Sequence, residues 1–281
     1  MKHIGIIGPT ASGKSGRALQ YARPKATARV ISMDAFQVYR GMDIGTGKIS
    51  SAVRDEIPHE MIDILDPMDS FSVADYIAHA KNLISELPED TFCIWVGGAG
   101  LYFKALRDGL APIPATDPAV LEDLEKMPHE EMVEEIKLVD PTWADAADLN
   151  NPRRVQRAFA VYCQTGRTMS SWQEEPSKPV VRFDEMIYLN PGAEELREKI
   201  DQRVEEMWES GWVQEVEALL AIDGWTESQS FQAIGYSEVA LAINQVVTKE
   251  EAIDQIKSQT WQYARRQRTM FNKLMEEEIE S

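Results

Sequence analysis

The chain of 281 residues has few cysteines, few histidines and an excess of acidic over basic side chains. It contains two cysteines and four histidines. Cys93 falls in an apolar run and Cys163 in a helix-like segment, so both are predicted to be packing residues and not a disulfide or a metal pair. His59 has no second histidine at ligand spacing, which argues against a zinc site.

No apolar stretch approaches the roughly 20 residues that a membrane-spanning helix needs. The sequence passes from Met1 almost directly into a short apolar strand, without the longer apolar stretch and cleavage site of a signal peptide. We therefore expect a cytoplasmic protein that does not enter a membrane.

Basic side chains are scarce, with 29 Lys and Arg against 47 Asp and Glu and a net charge of -18. This balance alone argues against nucleic-acid binding. However, Arg153, Arg154 and Arg157 cluster beside two asparagines, and Arg265 and Arg266 form a second cluster. Arginines interleaved with amides suit phosphates and base edges, and a solvated helix face is an equally weighted interpretation of either cluster alone. The run 194–217, rich in both signs, is interpreted as a solvated face.

The order of apolar runs predicts an α/β fold: a P-loop NTPase-like core whose parallel sheet is flanked by helices, with a mostly helical insertion. Strands are predicted at 4–7, 28–32, 91–96 and 185–189. Helices are predicted at 14–21, 73–87, 193–220, 236–243 and 250–274. Prolines near residues 112 and 179 mark the boundaries. The core is expected to comprise 1–114 and 180–281, and the insertion 115–179.

The strongest local motif is a phosphate-binding loop between the first strand and the first helix. Backbone amides of such a loop cradle phosphate oxygens, Lys14 supplies positive charge, and the Ser15 hydroxyl can ligate Mg²⁺. The predicted phosphate-binding residues are Gly8, Pro9, Thr10, Ala11, Ser12, Gly13, Lys14 and Ser15. The motif predicts that the protein binds a di- or triphosphate.

A candidate catalytic carboxylate, that of Asp34, follows the strand that ends at Met33. Its place at the carboxyl edge of a parallel sheet favours a functional role, as a general base or an indirect magnesium ligand, over a structural cap. The strand ending at Val96 is followed by Gly97, Gly98 and Ala99, without the acidic magnesium ligand typical of P-loop kinases.

Several motifs together resemble the bacterial tRNA dimethylallyltransferase (tRNA isopentenyltransferase) family, in that family's order and over nearly the whole chain. The segment from Gln37 to Thr46 is especially specific, because nucleotide kinases lack it. The matching segments are 8–15, 34–46, 58–63, 72–75, 96–103, 150–157, 233–236 and 264–267.

The resemblance implies transfer of a dimethylallyl group from dimethylallyl diphosphate to the exocyclic amine of the adenosine 3′ of a tRNA anticodon, giving isopentenyladenosine. It implies that Asp34, Lys14 and Ser15 are catalytic, that Mg²⁺ on Ser15 is the cofactor, and that the insertion holds the anticodon stem-loop. A monomer is expected. The implied tRNA-binding residues are Asp34, Ala35, Phe36, Gln37, Ala99, Asn151, Arg153, Arg154, Arg157, Arg265 and Arg266.

The chain departs from the family pattern where Ala35 replaces a usual serine and Ala99 a usual threonine. It also has Gly47 followed by Lys48 and Ile49 where the family tends to have Ala-Lys-Pro. Two alternatives stay open beside the transferase, and the lost hydroxyls favour only the second of them. One is a P-loop small-molecule kinase, and the other is a catalytically weakened tRNA-binding relative.

Overall fold

The computed structural model describes residues 1–279, with side chains described to residue 277. The chain divides into two compact units, one formed by Met1–Arg107 with Val180–Ser281 and the other by Asp108–Pro179. No helix among the described residues has the length and hydropathy of a membrane span.

The first unit is built on a five-stranded sheet in the order β3-β2-β4-β1-β5, with every pairing parallel. Its strands are β1 Lys2–Ile7, β2 Ala28–Met33, β3 His59–Glu60, β4 Phe92–Gly97 and β5 Glu185–Tyr188. Because the pairings are parallel, the carboxyl ends of β1, β2 and β4 meet at one edge, where Ile7 and Met33 both lie opposite Gly97. The loops that follow these three strands therefore converge.

Helices flank this sheet and extend the chain beyond it, as predicted for an α/β fold. They are α1 Lys14–Ala22, α2 Ser51–Glu56, α3 Val73–Glu86, α4 Gly100–Asp108, α10 Ala193–Met207, α11 Val213–Leu220, α12 Tyr236–Ile243 and α13 Lys249–Ile279. Helix α3 begins with a reciprocal capping box formed by Ser72 and Asp75. Such a box satisfies two backbone donors that a helix start otherwise leaves unpaired.

The second unit is helical, with its own apolar core around Ile136, Val155 and Phe159. Its helices are α5 Pro118–Leu124, α6 His129–Val139, α7 Pro141–Ala146, α8 Pro152–Thr165 and α9 Met169–Gln173. Pro141 and Pro152 occupy first helical positions, behind the N-caps Asp140 and Asn151. Proline is tolerated there because its missing N–H would have no helical partner anyway.

Two sequence expectations are corrected by this structure. The helix expected over 193–220 is interrupted by a π-helical turn at Trp208–Trp212, where Gly211 has a φ of 102°. A residue with a side chain rarely adopts this φ, so the glycine marks the break. Cys93 is buried as expected, but Cys163 is exposed, so the prediction that it is a packing residue is wrong.

Candidate active site

The loop between β1 and α1 requires glycine at two positions. Gly13 has a φ of 87°, in the left-handed region, and a Cβ on Gly8 would overlap the carbonyl oxygen of Leu189. Gly8 therefore allows close approach to the backbone after β5, and Gly13 allows the turn into α1. Ala11 also has a positive φ, of 59°. This strained loop lines a cavity of about 200 Å³ that we call the P-loop cavity.

Lys14 is held against the P-loop, where its ammonium donates a hydrogen bond to the carbonyl oxygen of Pro9. Burial, and then the nearby Arg203 guanidinium, lower the pKa of Lys14 to about 7, although Asp34 opposes them. An anion in the cavity would favour the charged form of this lysine. The loop is therefore electrostatically prepared for a phosphate group.

One P-loop amide is already bonded to a side chain from a distant helix. The N–H of Thr10 donates to Oε1 of Gln267 at 2.8 Å, and Nε2 of Gln267 donates to the carbonyl oxygen of Gly98 at 2.8 Å. Gln267 is a buried residue of α13. It thus joins the P-loop to the end of β4, and neither the glycine motif nor the spacing of the sequence indicates this tie.

Two hydroxyls in the loop are available to a ligand. Ser12 is buried in the wall of the P-loop cavity, and its Oγ has no hydrogen-bond partner among the described residues. Ser15 also lines the cavity, in the first turn of α1. A buried hydroxyl without a partner is costly, so an incoming phosphate oxygen would relieve Ser12.

Asp34 lies just beyond the end of β2, with one carboxylate oxygen fixed by its own loop. Oδ1 accepts hydrogen bonds from the backbone N–H groups of Phe36 at 2.9 Å and Gln37 at 3.2 Å. This local turn fixes the carboxylate through Oδ1 and leaves Oδ2 available to a ligand. Burial, with Asp34 as the next cause, raises the pKa of Tyr102 and of Tyr263.

Asp34 also belongs to a second cavity of about 300 Å³, which adjoins the first. The wall common to both consists of Thr10, Asp34, Thr46, Arg203 and Tyr263. Beyond this wall the second cavity is mostly apolar, with Phe36, Val204, Met207, Trp212, Ile234 and Ile256 among its lining residues. The site therefore combines an anion-binding compartment with an apolar compartment, and a carboxylate lies where they meet.

Arg203 is a candidate site residue that the sequence interpretation missed. It lies on α10 within the run 194–217, which was interpreted as a solvated face, and that interpretation is wrong for this residue. Arg203 lines both cavities, and its burial lowers the pKa of the guanidinium while Asp34 raises it. The sequence does contain one signal for this residue, namely the apolar residues Ile200 and Val204 on either side of it. Both are buried, so Arg203 lies beside the buried face of α10.

Comparison with known proteins assigns the chain to a family. A family model described as IPP transferase matches residues 37–274. The chain belongs to the IPP transferase family. The tRNA dimethylallyltransferase of Bacillus subtilis strain 168 is 38% identical over 277 residues, covering 96% of this chain and 88% of that relative. The tRNA dimethylallyltransferase of Anoxybacillus flavithermus is 37% identical over 277 residues, with 98% and 88% covered.

Solved structures agree with this membership in the IPP transferase family. The Staphylococcus epidermidis tRNA isopentenylpyrophosphate transferase superposes with a TM-score of 0.67 at 34% identity, covering 96% of this chain and 90% of that chain. A eukaryotic dimethylallyltransferase, crystallised acting on tRNA, superposes with a TM-score of 0.80 at 28% identity, covering 95% and 69%. These likenesses confirm the predicted α/β fold and the family resemblance.

Within this IPP transferase, the residues suggested for tRNA binding near Asp34 have different surroundings. Phe36 lines the second cavity, and Gln37 lines the P-loop cavity. The Gln37 side chain accepts from the Ser32 hydroxyl and donates to the carbonyl oxygen of Thr46 at 3.3 Å, so it also supports the loop. Ala35 is partly exposed beside Asp34, and Ala99 donates its backbone N–H to the carbonyl oxygen of Met33.

The suggested tRNA-binding residues of the helical unit divide into exposed and inward-facing groups. Arg153 and Arg154 are exposed in the first turn of α8. Asn151 is the N-cap of that helix and accepts from the backbone N–H of Arg154. Arg157 is partly buried and donates to the Thr116 hydroxyl and to the carbonyl oxygen of Pro114. Its guanidinium thus supports the segment that precedes α5.

The second arginine cluster lies on α13, in the other unit. Arg265 and Arg266 are both exposed, and Arg266 also lines the second cavity. The neighbouring Arg268 donates to Oδ1 of Asn190 at 2.9 Å. Tyr263 and Gln267 of the same helix reach the P-loop cavity. Helix α13 therefore carries residues that line the P-loop cavity and basic side chains that are exposed.

Proposed function

We propose that this protein is a tRNA dimethylallyltransferase, which moves the dimethylallyl group of dimethylallyl diphosphate to the exocyclic amine of the adenosine 3′ of the anticodon. The observation that carries the proposal is the position of Asp34. It lies on the wall between a P-loop cavity that suits a diphosphate and an apolar cavity, with Lys14 and Arg203 beside it.

The donor's diphosphate fits the P-loop cavity, because backbone amides, Lys14 and Arg203 all offer positive charge there. In the reaction, the bond between C1 of the dimethylallyl group and the diphosphate oxygen breaks, and negative charge grows on the leaving group. Cations already in place stabilise that charge without reorganisation. The loop therefore holds a departing diphosphate and does not need to activate a nucleotide.

The acceptor amine forms the new bond to C1 and becomes positively charged. Asp34 is the residue placed to orient this amine and accept its proton, since its Oδ1 is fixed by two backbone N–H groups and its other oxygen is available. The adenosine must leave its stack to reach a carboxylate in this position. The products are isopentenyladenosine in the tRNA and diphosphate.

Mg²⁺ is the proposed cofactor, and the residues present fit a site supplied mainly by the substrate. No group of three or more acidic, histidine or cysteine side chains among the described residues could hold a metal by itself. Ser15 lines the P-loop cavity and would contribute its hydroxyl, with diphosphate oxygens and water completing the shell. The ion would add positive charge at the leaving group.

Binding of tRNA by a protein of net charge -18 needs a local basic surface. We propose that Arg153 and Arg154 provide such a surface on the helical unit, and that Arg265 and Arg266 provide a separate one on the unit that contains the sheet. The helical unit, predicted from the sequence as 115–179, is proposed to hold the anticodon stem-loop. The geometry of Asn151 and Arg157 favours structural roles for these two. A cytoplasmic monomer is the state that we propose for the enzyme.

The test is prenyl transfer to unmodified tRNA. Incubation with dimethylallyl diphosphate and Mg²⁺ should produce prenylated adenosine, detected by mass spectrometry of digested tRNA. Asp34→Asn should abolish the product, whereas Asp90→Asn, an exposed carboxylate in a turn before β4, should not. Turnover of ATP without prenyl transfer would instead support a kinase. Binding of tRNA without transfer would support a catalytically weakened relative.

A further inference from the structure

A short loop, residues 43–48, forms part of both cavities. Gly45 and Thr46 line the second cavity, while Thr46 and Gly47 line the P-loop cavity. The position of this loop therefore affects both compartments. The loop contains no helix or strand, so contacts with other parts of the chain must fix its position.

Glu215, on α11, binds the start of this loop with both carboxylate oxygens. Its Oε2 accepts from the backbone N–H groups of Asp43 at 2.7 Å and Ile44 at 2.6 Å, and its Oε1 accepts from that of Gly45 at 3.1 Å. The Tyr236 hydroxyl donates to Oε1 at 2.7 Å. Hydrogen bonds to an ionised acceptor are roughly twice as strong as neutral ones, so four on one carboxylate make a firm anchor.

The other end of the loop leads directly to the phosphate site. A Cβ on Gly47 would overlap the guanidinium of Arg203, which shows how closely the two residues lie. Trp212, three residues before Glu215, is packed equally closely against Gly45. A displacement at residues 43–45 would therefore reach Arg203 through Gly47.

We propose that Glu215 is a positioning residue for prenyl transfer: by holding the amides of residues 43–45 it sets the loop against which Arg203 is seated. Glu215 touches neither cavity, so it acts through the loop and Arg203. The catalytic consequence rests on the proposed function, whereas the effect on the loop and on diphosphate binding does not.

The test uses Glu215→Gln, which keeps the size of the side chain but replaces one accepting oxygen by an NH₂ group. Because each carboxylate oxygen accepts from two donors, the NH₂ group faces two donors whichever way the amide is turned. Hydrogen exchange of the amides at 43–45 should become at least tenfold faster. The affinity for inorganic diphosphate, measured by calorimetry, should fall at least tenfold. In the transfer assay, the KM for the donor should rise by a similar factor. Glu217→Gln, an exposed carboxylate on the same helix, is the matched control and should change none of these.

Faster exchange with unchanged diphosphate affinity would show that Glu215 only stabilises the fold and would overturn the proposal, as would unchanged exchange. If Glu215→Gln fails to fold, Tyr236→Phe decides, because it removes a single donor to Oε1 and should shift both measurements in the same direction by a smaller factor. Absence of prenyl transfer in the wild type, with diphosphate binding sensitive to Glu215, would contradict the proposed function alone.

Discussion

Lys14, Asp34 and Arg203 belong to three separate elements of the fold, and all three line the P-loop cavity. Two cations and one carboxylate lie around a cavity, and burial lowers the pKa values of both cations. The P-loop and Asp34 could be predicted because glycine spacing and the end of an apolar strand are local signals. Arg203 was missed because its many charged neighbours favour a solvated face, although the buried Ile200 and Val204 mark the inner face of α10 beside it.

A substitution at Gly47 tests whether the position of the Arg203 guanidinium affects binding of the donor. Gly47 has a φ of 61°, and an added Cβ would overlap the Arg203 guanidinium. In Gly47→Ala we expect a loss of about 1–2 kcal/mol in the free energy of unfolding from backbone strain. The displaced Arg203 should also lose its proposed hydrogen bond to the diphosphate of the donor. A hydrogen bond to a charged group contributes about 1.5–3 kcal/mol, so the donor KM should rise at least tenfold.

Gly166→Ala separates these two effects. Gly166 has a φ of 70°, but nothing lies within 4 Å of an added Cβ. It should therefore lose similar stability in chemical denaturation with no change in the donor KM. A donor KM that rises equally in both variants would contradict the role assigned to Gly47.

The pKa of Lys14 predicts a pH dependence of diphosphate binding. In the empty site this pKa is about 7, mainly because of burial. A bound diphosphate should raise it towards the ordinary lysine value of about 10.4. Above pH 7 the lysine must then take up a proton on binding, so its contribution weakens with rising pH, by at most about tenfold per pH unit.

Calorimetry with inorganic diphosphate at pH 8, in two buffers of different ionisation enthalpy, measures this uptake. Wild-type protein should take up more protons than Lys14→Met, and the difference corrects for protonation of the diphosphate itself. Equal uptake by the two proteins would show that Lys14 is already charged in the empty site.

Whole helices and strands were predicted where the apolar period extends over many residues. Strands β1, β2, β4 and β5 and helix α12 lie close to the predicted ranges. Strand β3 is only two residues long and was not predicted, because so short a segment shows no period. Helix α13 was predicted as an element, but its role was not. Its Gln267 is separated from its partners Thr10 and Gly98 by most of the chain, so no local pattern indicates that contact.

Helix α13 should therefore control the geometry of the P-loop. In Gln267→Ala the N–H of Thr10 and the carbonyl oxygen of Gly98 lose their partners, at a cost of about 1–3 kcal/mol for each buried group. We expect the diphosphate affinity to fall at least fivefold by calorimetry. Gln262→Ala, an exposed position of the same helix, should bind diphosphate normally. Unchanged affinity in Gln267→Ala would show that the P-loop holds its shape without this tie.

The protein as a whole is strongly acidic, and its proposed substrate, tRNA, is also negatively charged. The protein's net charge of -18 makes long-range attraction of tRNA unfavourable, so binding must depend on close contacts from a few arginines. Composition alone pointed away from nucleic acid, and the arginine clusters together with the family pattern pointed towards it. Net charge is a sum over the surface, which is why it could not decide the partner.

Arg154 offers a direct test of this local surface, since it is exposed in the first turn of α8. If it binds a phosphate, Arg154→Glu should weaken tRNA binding at least tenfold. The slope of log affinity against log salt concentration should become shallower by about 0.7–0.9 for each phosphate that the protein no longer neutralises. Filter binding at four salt concentrations measures both quantities. Lys137→Glu, an exposed charge reversal on α6 of the same unit, makes the same change in net charge and should leave the slope unaltered. Equal weakening by both variants would mean that tRNA responds to the total charge of the unit, and a phosphate bound at Arg154 would then be excluded.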